Sequence, residues 1–528
     1  MYVPLDERPC NAFYPQMIAQ LQPQIQLKLP PAPLLSRKKQ PADVEGLWAW
    51  MRQSLAEISP TSGEGAIDNC FAIVSIEMLV YGGLLPSRLH QHSVEVLSDR
   101  LQRLVQLKVD YPHLQILASN LIMRTPAYNS SEEEPDYYAT HGEAICRWGS
   151  LSDRRSRHAL TSEEETEFAC LNIALPAQCL DDYRCRRAKN LAINQSTIKL
   201  VNSGVITFLS IPQDDCAPYG FTAQDQQVIN QQICELRLQQ NAHLYPGADE
   251  VGCTLLARAW CSRSGPSSGQ FPSQPPSQLP LRVHLLYSSV MGDRIIPRYE
   301  DRPIGESLKA HLWAAGATLA HSLEAADLVL AVNTPGQVMQ EAWDQTSKDI
   351  TYNSFRNLRV FVNQIRQLLD QDIPVALADI AFSNGGETEL VQLLDDLDCW
   401  DRMLSYAAWN TSCNSLGTAI ATAILGLDST ETTVLNFNKI YHVLEDWAYQ
   451  SIVRRAITEQ YLPEIGASSY DFNGQTEAIN HAMASAIKTL WEQVIRRSFQ
   501  SCTLEQLKVY SPWQRMFEIG LDLTLTAR

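Results

Sequence analysis

The sequence has no long apolar run. Its longest, such as Phe71–Val74 and Leu328–Val332, fall far short of the roughly 20 residues that a membrane-spanning helix needs. The opening Met-Tyr-Val-Pro-Leu-Asp-Glu has neither a basic stretch nor a long apolar one, so no secretory signal is expected. Basic residues are in the minority. Against 59 Asp and Glu stand 42 Lys and Arg, a formal net charge of −17, which argues against a dedicated nucleic-acid or anionic-membrane surface. The 13 cysteines are scattered without paired or metal-ligand spacing, which fits a reduced, cytoplasmic protein. There is no G-x-x-x-x-G-K-[ST], no G-x-G-x-x-G, no H-E-x-x-H and no C-x-x-C. These absences weigh against P-loop nucleotide hydrolysis, ordinary nicotinamide or flavin binding, and zinc proteolysis. One formal G-x-S-x-G match, Gly265–Gly269, lies in a Ser/Pro-rich stretch without the strand that a nucleophile elbow requires.

What is present is an ordinary globular balance, 45% hydrophobic and 19% charged over 528 residues, enough for roughly two to four domains. Short apolar runs alternate with amphipathic stretches, the mark of an α/β protein. Strands are expected at 2–5, 25–29, 71–76, 114–118 and 205–209, then at 283–287, 318–321, 328–332, 375–378 and 404–408. Helical patterns include 13–21, 44–58, 94–109, 304–315, 354–371 and 387–397. Near-continuous apolar strands suggest parallel sheets covered on both faces. Ser262–Pro280 is too rich in Ser, Pro, Gly and Gln to bury a core and reads as a linker or insertion. On either side of it an acidic-Arg-Pro step, Asp6-Glu7-Arg8-Pro9 and Glu300-Asp301-Arg302-Pro303, leads from a strand into a helix, which suggests an internal repeat. The expected architecture is two doubly wound, Rossmann-like lobes with parallel sheets, 1–261 and 281–430, and a helical C-terminal region, 431–528. A distorted (β/α) barrel is the alternative. The tail's default job is packing on the second half, with a homodimer contact as the other.

Ligands of parallel α/β folds bind outside the carboxyl ends of the strands, where loops and helix N-termini converge. Polar residues recur at those positions: Asp6 and Arg8; Glu77 with Tyr81-Gly82-Gly83; Asn120 and Arg124; Gln213-Asp214-Asp215; Asn333; Asp379 with Asn384-Gly385-Gly386; and Asn410, Thr411 and Asn414. Together they read as the lining of a polar small-molecule pocket. Asp379 closes a strongly apolar strand, a costly place for a carboxylate without a partner or ligand. Asp214 and Asp215 are adjacent, so on an extended chain only one would enter the pocket. If they share a site, repulsion raises one of them, which suits a general acid. Bland roles compete: Asp6 and Asp301 as helix caps, Asn384-Gly385-Gly386 as a turn, Asn410 and Asn414 as caps, and the acidic runs Ser130–Glu134 and Glu163–Glu165 as solvated faces or helix starts. Asp249 and Glu250 stand where they would complement a helix N-terminus.

The phrases YVPLDERPCN, SIEMLVYGGLLPSR, NLIMRTPAYNSS, IPQDDCAPYGF, YPGADEVGCTLLAR, LADIAFSNGGETELV and AAWNTSCNSLGTA resemble those of a bacterial family, domain of unknown function 4127. The resemblance runs from residue 2 to about residue 425. It implies a bacterial, enzyme-like protein and transfers no catalytic role. In the second phrase Glu77 stands where an aspartate is expected, which moves that carboxylate outward by one methylene.

The function expected from these residues is hydrolysis of a polar small molecule, most plausibly a glycoside. Asp379 and Asp215 or Asp214, from opposite lobes, would act as acid and as base or nucleophile. Asp6, Arg8, Glu77, Asn120, Arg124, Asn333, Asn384, Asn410, Thr411 and Asn414 would bind the substrate. No cofactor, nucleic acid or membrane is expected. A Mg²⁺- or Mn²⁺-dependent enzyme and a non-catalytic two-lobed binding or sensing protein are the alternatives.

Overall fold

The computed structural model describes residues 1–58, 70–263 and 280–527. Most of the expected linker, and the Gly265–Gly269 match within it, lie outside the described residues. The chain forms two compact units whose segments interleave. The first comprises Met1–Glu7, Leu27–Leu255 and Tyr299–Asp301; the second comprises Arg8–Gln26, Leu256–Arg298 and Arg302–Arg528.

The first unit is built on a five-stranded parallel sheet of β1 (Tyr2–Val3), β2 (Phe71–Ser75), β3 (Gln115–Ser119), β4 (Phe208–Gln213) and β5 (Ala242–Pro246), in that order. Its strands are buried on both faces, as the apolar runs require. The expected strand at 25–29 is not one. Pro30 and Pro31 end it, because proline has no N–H to continue a ladder. Yet the Tyr2 N–H donates to the Lys28 carbonyl (2.8 Å), so this segment lies beside β1. β5 was not expected, since Ala-His-Leu-Tyr-Pro shows neither alternation nor a β-branched run. Between β3 and β4 the chain makes a three-helix excursion, Tyr138–Arg157, Ser162–Ala174 and Ala177–Asn202. The acidic run Glu163–Glu165 opens the second of these within a capping box set by Thr161 and Glu164.

The second unit carries β6 (Leu281–Tyr287), β7 (Ala317–Leu319), β8 (Leu328–Asn333), β9 (Gln340–Glu341), β10 (Val375–Asp379), β11 (Phe382–Ser383) and β12 (Ser405–Ala407). Its main sheet runs β7-β6-β8-β10-β12, all parallel, while β9 and β11 form a small pair of their own. The strand order reverses between β6 and β8, the switch point of a doubly wound sheet. The helix Ser412–Gly426 is buried along its whole length, its polar members being small (Ser412, Asn414, Ser415, Thr418 and Thr422) among Ala, Ile and Leu. Residues 432–464 form a continuous helical run that widens to π geometry over Val443–Val453. After the helix Thr476–Val494 the tail ends in an antiparallel hairpin, β13 (Cys502–Tyr510) and β14 (Gly520–Ala527). The alternation of Leu521, Leu523 and Leu525 was the available signal for it.

Candidate functional site

At the strand ends of the first unit, the chain leaving β2 widens into a π-helical turn, Glu77–Tyr81. It is closed where the N–H groups of Gly82 and Gly83 both donate to the Glu77 carbonyl (3.0 Å each). Gly82 has φ 91°, and a Cβ there would press on Pro41 and Ala42, so the Tyr-Gly-Gly step is backbone chemistry. The turn aims the Glu77 side chain at β3. Its carboxylate accepts from Asn120 Nδ2 (2.8 Å), the Leu121 N–H (2.7 Å) and Ser75 Oγ (2.9 Å). Burial pushes Glu77 above the ordinary carboxylate range despite these donors. Asn120 in turn accepts from Thr197 Oγ1.

Beside this pair, two arginines and four carboxylates interlock. Arg88, on the short helix Leu84–Leu89, reaches Glu133 (3.0 Å), Glu134 (3.2 Å) and Asp214 (2.7 Å). Arg124, just beyond β3, reaches Glu133 (2.8 Å), Glu134 (2.9 Å) and Asp215 (3.0 Å). Both aspartates therefore face the same cluster, against the expectation for adjacent residues on an extended chain. The reason is local: Asp215 takes a left-handed φ of 41°, which turns the strand end. Their side chains keep 18% and 22% exposure, so solvent reaches both. Burial, followed by the charge of Asp215, pushes Asp214 up to about 6; burial also raises Asp215. A small cavity of about 10 Å³, room for about one water, opens here, lined by Glu77, Ser87, Arg88, Arg124, Asn190 and Asp214 together with apolar side chains such as Leu121 and Met123.

The acidic run Ser130–Glu134, expected as a solvated face, proves to be part of this cluster; Glu134 is 1% exposed. A run of acids reads as surface in a sequence because the two arginines that bury it lie 46 and 10 residues away. The loop is pinned from its other side by Lys38 to Glu132 (2.6 Å) and Lys39 to the Ser131 carbonyl (2.6 Å). Glu7 of the first acidic-Arg-Pro step holds that lysine turn, accepting from Ser36 Oγ and the Lys38 N–H.

In the second unit Asp379, at the end of β10, sits in a different kind of network. Its oxygens accept from Asn333 Nδ2 (2.8 Å), the Glu387 N–H (2.6 Å) and Tyr406 Oη (3.3 Å). Asn333 also donates to Glu387 (2.8 Å) and accepts from Arg356 (3.0 Å), and Glu387 is clasped by Arg356 and Lys348. Asp379, Asn333 and Glu387 are all 0% exposed. Burial, then the charge of Glu387, pushes Asp379 up to about 7. Burial would raise Glu387 too, but Arg356 and Lys348 outweigh it and hold that carboxyl at about 2. The two sheets thus repeat one arrangement. In each, a carboxylate and an amide pair across neighbouring strand ends (Glu77 with Asn120, Asn333 with Asp379). An arginine following the first strand of the pair clasps a glutamate following the second (Arg88 with Glu134, Arg356 with Glu387).

The other expected site residues divide. Asp6 and Arg8 are buried, and the boundary between units falls between Glu7 and Arg8. Neither Asp6 nor Asp301 caps the following helix, whose N-cap residues are Arg8 and Pro303. Arg8 lies over the Trp513 ring at 4.6 Å. Asn384, at φ 60°, donates from its side chain to Glu341 (2.8 Å) and from its backbone to the Asn410 carbonyl (2.8 Å). Gly385 and Gly386 shape the turn, as the bland reading has it. Asn410 is itself left-handed at φ 62°, Thr411 is the N-cap of Ser412–Gly426 without a side-chain cap bond, and Asn414 is buried within that helix. Asp249 and Glu250 are buried and stand immediately before the helix Val251–Ser262, the helix start at which the sequence places them.

Sequence reasoning missed what the tail supplies. From the widened helix, Asp446 accepts the Ala408 N–H (2.7 Å) just past β12 and pairs with His442 Nδ1 (3.0 Å). His442 Nε2 is buried without a hydrogen-bond partner. Ser451 donates to the Gly386 carbonyl (2.7 Å). The available signal was His442-x-x-Glu445-Asp446, three titratable groups on an otherwise apolar helical stretch.

Among the described residues, no group of three or more His, Cys, Asp or Glu side chains is arranged to hold a metal ion, and no helix is long and apolar enough to cross a membrane. None of the 13 cysteines forms a disulfide. No curated protein and no solved structure matches the chain. The model of one family, described as protein of unknown function (DUF4127), matches residues 1–522, and the chain belongs to that family.

Proposed function

We propose that the chain is a hydrolase of a polar small molecule, with a glycoside as the leading substrate class, and that its chemistry is done by Asp214 and Asp215. The observation that carries this reading is the adjacent pair of aspartates at a parallel strand end, with Asp214 lining a small cavity. Each is held by its own arginine, and each is still reached by solvent. Asp214, lifted to about 6, holds a proton in mildly acidic solution and is the general acid; Asp215 is the base or nucleophile. Arg88 and Arg124 fix the pair and present guanidinium groups to substrate oxygens. Asn190 and Ser87 add polar lining. Because an acid must be protonated to donate, turnover falls as pH rises through about 6.

The repeated strand-end arrangement supports a duplication of one α/β unit. On this reading the copy around Asp379, saturated and sealed, serves architecture, while the copy around Asp214 retains chemistry.

A panel of aryl glycosides and phosphoesters, run with and without a chelator, tests the proposal. Asp214→Asn should lose at least ~100-fold in turnover, Asp215→Asn a comparable amount, and Asp379→Asn much less. Full turnover by Asp214→Asn overturns the assignment. Chelator-sensitive phosphoester cleavage by the wild type would replace it with the divalent-metal reading.

A further inference from the structure

Glu134 comes from a loop that is polar in sequence and buried in the fold. One of its oxygens, Oε1, accepts from both Arg88 Nη1 (3.2 Å) and Arg124 Nε (2.9 Å); the other, Oε2, is buried with no hydrogen-bond partner. Each of those arginines reaches one aspartate of the pair. We propose that Glu134 is a positioning residue for Asp214 and Asp215: it ties the two guanidinium groups together, and its charge sets how much of their field is left for the aspartates. The proposal rests on the reading of that pair as the reacting groups.

The groups facing the pair are Arg88 from the helix Leu84–Leu89, Arg124, Tyr128, Glu133 and Glu134 from the segment after β3, and Cys146 from the helix Tyr138–Arg157. Only the arginines are cationic. Neutralising Glu134 removes one negative neighbour and frees both arginines to act on the aspartates, and the two effects have the same sign: each favours the ionised form of Asp214. A residue that merely filled space would leave that equilibrium where it is. Lys38 and Lys39 hold the loop from its far side, so its place does not depend on Glu134 alone.

The test is a carboxyl-¹³C NMR titration of protein labelled at aspartate, with the Asp214 resonance assigned by its loss in Asp214→Asn. Glu134→Gln, nearly isosteric, should lower the Asp214 midpoint by about 1 pH unit. Glu134→Asp keeps the charge but is one methylene too short to bridge both arginines, so it should lower the midpoint by less. An unmoved midpoint in a folded variant of either kind overturns the proposal. The readout needs no substrate. If the midpoint moves while the wild type hydrolyses nothing in the panel, Glu134 still sets the field at the two aspartates, and it is the hydrolase reading that falls.

Discussion

Asp379 and Glu387 share donors and burial, yet their protons behave oppositely. Asp379 is lifted to about 7 in the folded chain, against an ordinary aspartate near 3.9 once unfolded. Between those values the folded state binds the extra proton, so this residue's contribution to stability falls as pH rises from about 4 to 7, by about 4 kcal/mol. Glu387, held at about 2, adds stability that is complete above its unfolded value and is lost only as the solution approaches pH 2. Asp379→Asn removes the first slope and puts an amide donor where donors already converge. Urea melts at pH 5 and pH 8 should show the variant about 1–3 kcal/mol less stable than wild type at pH 5, with the gap narrowed at pH 8. At this scale the sequence was legible in type more than in role. The apolar run before Asp379 announced a buried carboxylate, and burial is what the structure has. The partners that decide its protonation, Arg356, Lys348 and Glu387, lie up to 31 residues away along the chain and could not be paired with it from spacing.

The widened helix Val443–Val453 explains why the tail is more than a cover. A regular α-helix repeats every 3.6 residues; the wider turn keeps His442, Glu445, Asp446, Gln450 and Ser451 all buried. Asp446 there does the work of a strand neighbour by accepting the Ala408 N–H. Lys439, one turn earlier, donates to the carbonyls of Trp400 (2.7 Å), Asp401 (3.0 Å) and Met403 (2.9 Å). Asp446→Ala strands a buried N–H and a buried imidazole and should lower the unfolding free energy by about 2–4 kcal/mol, read from denaturant melts. Elements with strong periodicity were legible: Val44–Ile58 and Ile304–Ala315 match their expected bounds, and nine of the ten expected strands overlap an observed strand, six of them by most of their length. Those without it were lost. β5 is such an element, and a π-helical segment has no composition cue of its own; the terminal hairpin, by contrast, carried its alternation in a tail expected to be helical.

The two units interleave along the chain, so no single cut between them in sequence yields both intact. The fragment 1–262 keeps the whole first sheet but carries Arg8–Gln26, whose place is in the second unit, and lacks Tyr299–Asp301. Its circular dichroism melt should show no cooperative transition, whereas the full chain should give one; a cooperatively folding fragment would show that the exchanged segments are dispensable. The repeat of acidic-Arg-Pro steps hinted at two related halves, but nothing in composition marks which segment crosses to which unit. That crossing has a cost during synthesis. Gln22 donates to the Leu425 carbonyl and Tyr14 to Glu445, partners 403 and 431 residues downstream. A ribosome adding about 5–20 residues per second delivers them roughly 20–90 s after the first helix emerges, so the nascent chain must carry its apolar N-terminal turns unshielded for that whole interval.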